Sequence, residues 1–158
     1  MILLAGCLLF AGGFHAIAQK KKAVVAPSNE PLKTATLASL ESSYPAYKNI
    51  ALQIWDNAEL GYKEVKSSAL LQETLKKEGF TVEAGVAGIP TAFVATYGSG
   101  QPVIGILAEF DALPGLAQQA VPEKKGIDGK AGGHGCGHHL FGAASVAAGV
   151  SIKKLIEE

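Results

Sequence analysis

The residues best suited to chemistry lie together between Ala131 and Ser145, in the sequence AGGHGCGHHLFGAAS. Three of the four histidines and one of the two cysteines of the chain fall within six residues here. Thiolate sulfur and neutral imidazole nitrogen both bind borderline-soft divalent metal ions. We therefore predict that Cys136 and His138 are metal ligands.

The spacing of these two residues restricts the backbone that carries them. Residues two apart lie on opposite sides of an α-helix, so Cys136 and His138 can bind one ion only from an extended or turning backbone. The surrounding glycines permit such a backbone, and the sequence predicts a loop that enters a helix at Leu140. The neighbouring His134 and His139 either orient the ligands or are simply exposed. The alternative is a flexible glycine loop that carries polar residues by chance.

A thiol nucleophile is a second interpretation of Cys136, since a neighbouring histidine can act as a general base. Catalytic Cys-His partners are usually distant in sequence, however, and a spacing of two residues is a poor geometry. A closed structural zinc site needs four ligands, typically in two separated pairs. The rest of the chain supplies no second pair, so an open metal site is the favoured interpretation.

Asp111 is the other residue that is predicted to belong to the metal site. It follows the continuous apolar run VIGILAEF over 103–110, which is typical of a central strand buried on both faces. In open α/β sheets the active crevice lies beyond the carboxyl ends of such strands. Asp111 either caps the turn that follows or orients a metal-bound histidine. Glu109, on the same face of the run, is predicted to be a supporting polar residue.

The elements that must position these residues alternate between helical and extended patterns. A helical break is expected near Pro45, and Gly79 is expected to end a helix. A long loop over 118–131 leads to the cysteine motif. The predicted elements are helices over 32–41, 47–58, 65–78 and 140–157, and strands over 80–83, 92–97 and 103–110. This pattern predicts an α/β fold.

Composition bounds the function further. The 158 residues, 48% of them hydrophobic, are enough for one domain with its own core. Fourteen basic and fourteen acidic residues give zero net charge, so no electrostatic surface for nucleic acid is expected. All the basic residues are lysines. The chain therefore lacks the bidentate arginine that commonly binds a substrate carboxylate or phosphate.

Residues 1–18 are apolar and end in Ala16-Ile17-Ala18, which predicts a signal peptide and an exported, periplasmic or secreted protein. A lipid anchor at Cys7 or a membrane tether at the N-terminus is the alternative. Residues 19–43 are predicted to be a linker and a first helix, with no stable membrane span after signal removal. Cys136 would then be the only cysteine left, and a lone thiol in an oxidising compartment favours metal ligation.

Three segments carry a family resemblance, which covers about residues 44–158. The segments are NAELGYKEVKSSALLQETLKKEGF (Asn57 to Phe80), ILAEFDALPG (Ile106 to Gly115) and GHGCGHHLFGAAS (Gly133 to Ser145). They resemble the amidohydrolase branch of the peptidase M20 family, in particular the group that contains the aminobenzoyl-glutamate hydrolases.

The resemblance implies a two-metal hydrolase of small-molecule amides, namely N-acyl or N-aroyl amino acids or dipeptides. Cys136 and His138 match the first two metal ligands of the family, and Asp111 matches its acid after the central strand. The family more often has aspartate or asparagine where this chain has His139. Zinc or manganese is the implied metal, and cobalt is compatible. The implied fold is a three-layer metallopeptidase catalytic domain, with helices packed on a central mixed sheet.

Family members continue beyond the matched segments, through a Glu-Glu motif that provides the general base, further histidine ligands, and a lid and dimerisation domain. Glu157 and Glu158 do not resemble that motif. We therefore expect residues 44–158 to be the truncated N-terminal portion of the catalytic domain. It would lack the general base, bind metal weakly and have no turnover alone, and a homodimer is expected only for the full-length enzyme. A non-catalytic metal-binding or interaction protein that reuses the fold is the rival prediction.

Overall fold

The structure is a computed structural model that describes residues 29–157. The predicted signal peptide over 1–18, Cys7 and most of the predicted linker lie outside the described residues. Helices and short strands follow one another along the chain, with a 3-10 turn at Val86–Gly88. The elements are α1 Glu30–Asn57, α2 Val65–Lys77, β1 Thr81–Ala84, β2 Phe93–Thr96, β3 Leu113–Pro114, β4 Gly132–Gly133 and α3 His138–Glu157.

The core lies where the three helices meet. Each helix places apolar residues at helical spacing on the face that it turns towards the other two. Ile54 of α1 and Leu71 of α2 are completely buried there, and Phe110 packs against the cluster from the side. The buried residues of the core are Ile50, Ala51, Ile54, Leu71, Leu75, Ala143, Val146 and Val150. Among the described residues, α3 alone has the length and hydropathy of a membrane span, and its inner face forms part of this core.

The predicted break near Pro45 is wrong, because α1 runs through this residue as one helix. Proline removes one N–H donor from the helix and crowds the carbonyl one turn earlier. The helix continues because Ile50 and Ile54 are anchored in the core after the proline. Tertiary packing therefore outweighs the local signal.

The predictions for the middle of the chain are confirmed. Helix α2 ends at Lys77, and Gly79 follows with a left-handed φ of 87°. Strands β1 and β2 pair antiparallel, with Thr81 opposite Thr96 and Ala84 opposite Phe93. Helix α3 begins at His138, two residues before the predicted start.

The predicted central strand over 103–110 is not formed within residues 29–157. The segment is not assigned as a strand, and none of its backbone groups bonds to the backbone of another residue within 29–157. Val103 and Leu107 are 77% and 73% exposed, so the segment is not buried on both faces. An extended segment becomes a strand only when a neighbour supplies N–H and C=O partners. In the described part of the chain, β1 and β2 pair with each other and so do β3 and β4.

The architecture is therefore a mixture of helices and two small antiparallel sheets, which is consistent with a partial α/β domain. The central mixed sheet of the prediction is not formed by residues 29–157.

Candidate metal centre

Asp111 is positioned by the loop that follows α1. The Ala112 N–H donates to the Glu59 carbonyl (2.7 Å), and Leu60 forms a parallel bridge with Ala112. Immediately afterwards, β3 pairs antiparallel with β4, with Leu113 opposite Gly133. The Asp111 segment is thus held between the end of α1 and the glycine loop that leads into α3.

The glycine loop needs its glycines because other backbone lies against it. A Cβ atom on Gly133 would lie 2.0 Å from the Leu116 carbonyl oxygen, and a Cβ atom on Gly132 would lie 2.5 Å from that of Ala58. Real Cβ atoms do not approach other atoms so closely. These two residues allow the loop to pass close to the Asp111 segment and deliver His138 at the start of α3.

At this junction the structure brings together one imidazole and two carboxylates. His138 Nδ1 lies 2.8 Å from Asp111 Oδ1, and His138 Nε2 lies 3.1 Å from Glu109 Oε2. One nitrogen or oxygen atom from each of the three residues lies within 4.8 Å of the others. An ionised carboxylate only accepts hydrogen bonds, so Nδ1–H is the donor to Asp111. In the neutral ring, Nε2 then keeps its lone pair.

This donor set fits a divalent cation. Carboxylate oxygens and imidazole nitrogen are ordinary ligands of zinc and manganese, and two carboxylates complement a doubly positive ion. Ligating histidines usually donate their second N–H to a carboxylate, and the contact from His138 to Asp111 has this geometry. The orienting role of Asp111 stays a prediction. Glu109, predicted to be a supporting polar residue, contacts His138 directly. Its position two residues before Asp111 predicts that both carboxylates lie on one side, since alternate residues of an extended segment share a face.

Cys136 lies outside this group of three. It is an exposed, free cysteine in the bend before α3, two residues from His138. Its role as a metal ligand stays a prediction.

His134 and His139 lie behind the site, around Trp55. The two imidazole rings are 4.8 Å apart between centroids, and the His139 ring meets the Trp55 ring at 5.0 Å. His134 is 7% exposed and donates from Nε2 to the Ile54 carbonyl (3.0 Å). Burial lowers the pKa of both histidines below its usual value, which favours the neutral rings. Neither ring belongs to the group of three ligand atoms, and the pair packs the start of α3 onto α1.

Glu59 ties the Asp111 segment to α2. Its carboxylate accepts the backbone N–H groups of Lys66 (3.0 Å) and Ser67 (2.8 Å) at the start of α2, while its carbonyl holds Ala112. Burial alone would raise the pKa of Glu59, but the backbone hydrogen bonds outweigh it and the pKa is lowered. Glu59 therefore caps α2 from outside the helix, a contact that sequence patterns do not show.

The Glu59→Gln variant is expected to unfold more easily at neutral pH, by about 1 kcal/mol, because an anionic acceptor at a helix N-terminus is replaced by a weaker neutral one. The folded pKa of Glu59 lies below the unfolded value, so its charge stabilises the fold above the unfolded pKa. That contribution is lost as the pH falls through the folded pKa. Urea unfolding of both proteins should show a difference at pH 7 that shrinks in acid.

The matched control is Glu73→Gln on the exposed side of α2, where a change within about 0.5 kcal/mol is expected. A Glu59→Gln effect that stays constant or grows towards acid would contradict the capping role of the Glu59 charge.

Comparisons with known proteins identify relatives that are named as hydrolases and peptidases. The chain is 43% identical over 121 residues to a p-aminobenzoyl-glutamate hydrolase subunit of Escherichia coli, which covers 76% of this chain and 25% of that protein. It is 41% identical over 91 residues to thermostable carboxypeptidase 2 of Saccharolobus solfataricus, and the match covers 56% of this chain and 22% of that protein. It is 32% identical over 132 residues to IAA-amino acid hydrolase ILR1-like 5 of Arabidopsis thaliana, and the match covers 83% of this chain and 29% of that protein. No protein-family model matches the chain.

All three relatives are named as hydrolases or peptidases. The chain is homologous to members of the peptidase M20 family, so the predicted resemblance is confirmed. It spans about a quarter of the length of the curated relatives that it matches.

Proposed function

We propose that this chain is the metal-binding part of a longer hydrolase that cleaves the amide bond of N-acyl or N-aroyl amino acids or dipeptides, aminobenzoyl-glutamate among them. The observation that carries the proposal is His138, held between the carboxylates of Asp111 and Glu109 in a chain whose relatives are hydrolases.

Each residue of the site has a distinct role in this proposal. Asp111 accepts a hydrogen bond from Nδ1–H and orients the His138 ring, so that Nε2 can ligate a divalent ion. Cys136 is a second ligand, and Glu109 adds a negative charge beside it. A divalent ion bound there would lower the pKa of a bound water and polarise the amide carbonyl. The general base and the group that binds the substrate carboxylate come from outside the described residues.

The proposal also includes the central sheet of the longer protein. The segment 103–110 is an inner strand of a central mixed sheet in a three-layer metallopeptidase domain, where strands of the longer protein pair with it. Two observations support this placement: the side chains of the segment are apolar, and its backbone forms no hydrogen bond to other backbone groups within residues 29–157. In the same proposal the longer enzyme holds two ions of zinc, manganese or cobalt. It is exported after signal removal, has no nucleic-acid partner and dimerises only at full length.

The experiment compares this chain with a version extended through the downstream coding sequence. Both are assayed for metal content and for hydrolysis of p-aminobenzoyl-glutamate and N-acyl amino acids, before and after chelation. The extended protein is expected to hydrolyse a substrate of this class. Chelation should lower its rate by at least about 100-fold, because metal-ion catalysis contributes several kcal/mol. This chain alone is expected to show no turnover.

Two outcomes contradict parts of the proposal. A steady, chelator-sensitive rate from this chain alone would show that the general base lies within it. Metal binding without hydrolysis in either form would instead favour the non-catalytic metal-binding protein.

A further inference from the structure

His134 is a buried polar side chain that has no part in the group of three ligand atoms. It is 7% exposed, and its Nε2–H donates to the Ile54 carbonyl in the last turn of α1 (3.0 Å). The other ring nitrogen, Nδ1, is buried and has no hydrogen-bond partner in the part of the chain that the structure describes. A buried polar atom without a partner costs free energy of folding. Packing alone would therefore favour an apolar side chain at this position.

The hydrogen bond from His134 is not needed to satisfy the end of α1. The Ile54 carbonyl already accepts the Ala58 N–H (3.0 Å), so it would keep a partner if His134 were replaced. The His134 ring also stacks on Trp55, with ring centroids 6.2 Å apart and an interplanar angle of 30°. What these two contacts hold in place is the glycine loop at residue 134, which they join to the end of α1.

The chain bends sharply directly after His134. The Gly137 N–H donates back to the His134 carbonyl (3.4 Å), which closes residues 134–137 into a tight bend that contains Cys136. Gly137 has a left-handed φ of 82°, a conformation that glycine adopts without strain. Its carbonyl accepts the Leu140 N–H (2.9 Å) in the first turn of α3. The bend therefore leads from the His134 contact directly into the helix.

Cys136 thus lies midway between two anchored histidines. His134 is held by Ile54 two residues before it, and His138 is held by Asp111 (2.8 Å) two residues after it. Glycines adjoin Cys136 on both sides, so neither neighbour has a side chain that could fix the bend. Glycine segments lose more conformational entropy than others when they are ordered. A bend that is anchored before a ligand arrives avoids that loss on binding.

We propose that His134 is a positioning residue that holds this bend in the conformation in which Cys136 and His138 bind one ion, a role that rests on the proposed function because it takes both residues as ligands. His134 does not touch the ion. It acts through the backbone, by fixing the start of the bend on α1. This role accounts for a histidine at a buried position where its second nitrogen is unpaired.

The test measures Zn²⁺ affinity, by competition with a chromogenic chelator, and urea unfolding for the 158-residue chain and two variants. His134→Leu removes the donor and keeps an apolar side chain in the buried space. It should unfold at the same or a higher urea concentration, yet bind Zn²⁺ about 10-fold or more weakly, as expected for the loss of a residue that orients metal ligands. His134→Gln keeps an N–H donor at the position of Nε2 and should bind Zn²⁺ within about threefold of the unmodified chain.

The matched control is His139→Leu, the same change at the neighbouring imidazole, which lies in α3 rather than in the bend. This variant should bind Zn²⁺ within about threefold of the unmodified chain. Amide hydrogen exchange of the metal-free proteins gives a second measurement. Exchange over residues 131–137 should be faster in His134→Leu and unchanged in His134→Gln and His139→Leu, because only the first variant releases the bend.

Two results would overturn the positioning role alone. One is Zn²⁺ binding by His134→Leu that is as tight as that of the unmodified chain. The other is a loss of affinity that His134→Gln or His139→Leu shares, or that accompanies an equal loss of urea stability in His134→Leu, since packing would then explain it. Absence of Zn²⁺ binding by the unmodified chain would instead contradict the metal centre itself and, with it, the role of His134.

Discussion

Replacing His138 by alanine is expected to lower the Zn²⁺ affinity of this chain by more than about 100-fold, beyond the range for residues that merely orient a ligand. His138 is the residue that contacts both Asp111 and Glu109, so its loss removes the nitrogen ligand and the link between the carboxylates. Orienting residues already contribute about 10–100-fold to metal affinity. Asp111→Asn should therefore fall within that smaller range.

The matched control is the next residue in the chain. His139 packs against Trp55, and the His139→Ala variant should bind Zn²⁺ within about 10-fold of the unmodified chain. Competition with a chromogenic chelator measures all three variants. Equal losses for His138→Ala and His139→Ala would mean that the affinity depends on the packing of α3 rather than on the ligand atom of His138.

Replacing Gly133 by alanine is expected to destabilise the fold by at least about 3 kcal/mol, or to prevent folding. The added Cβ would lie 2.0 Å from the carbonyl oxygen and 2.4 Å from the carbonyl carbon of Leu116. These are backbone atoms that a side-chain rotation cannot move away. Pairing with Leu113 fixes the position of Gly133 on the other side.

Urea unfolding followed by circular dichroism tests this expectation, with Gly105→Ala as the control. A Cβ on Gly105 would meet nothing within 4 Å, so that variant should lie within about 1 kcal/mol of the unmodified chain. If Gly133→Ala is as stable as Gly105→Ala, the close approach of the two segments at the site is wrong.

Sequence patterns predicted the elements that local signals define. Helix α2 carries its own apolar stripe and a terminal glycine, and β1 and β2 alternate between the two faces of their sheet. Asp111 and His138 were both predicted as site residues from residue type and position. Their direct contact was not predictable, because β3 and β4 are only two residues each and Gly132 and Gly133 carry no side chains that would show a strand pattern.

The errors have physical causes as well. Pro45 predicts a helix break, but the burial of Ile50 and Ile54 against the other helices keeps α1 continuous. The apolar run over 103–110 predicts a strand, yet a strand depends on partners that no sequence window contains. The packing of Trp55 against the histidines joins residues far apart in the chain, a separation at which sequence periodicity carries no information.

The measurement that tests the metal centre most directly is a Zn²⁺ titration of the 158-residue chain beside its His138→Ala variant, under the same buffer and chelator. We expect one ion per unmodified chain and an affinity more than about 100-fold weaker in the variant. Equal Zn²⁺ binding by both proteins, or no binding by the unmodified chain, would contradict a metal centre at Glu109, Asp111 and His138.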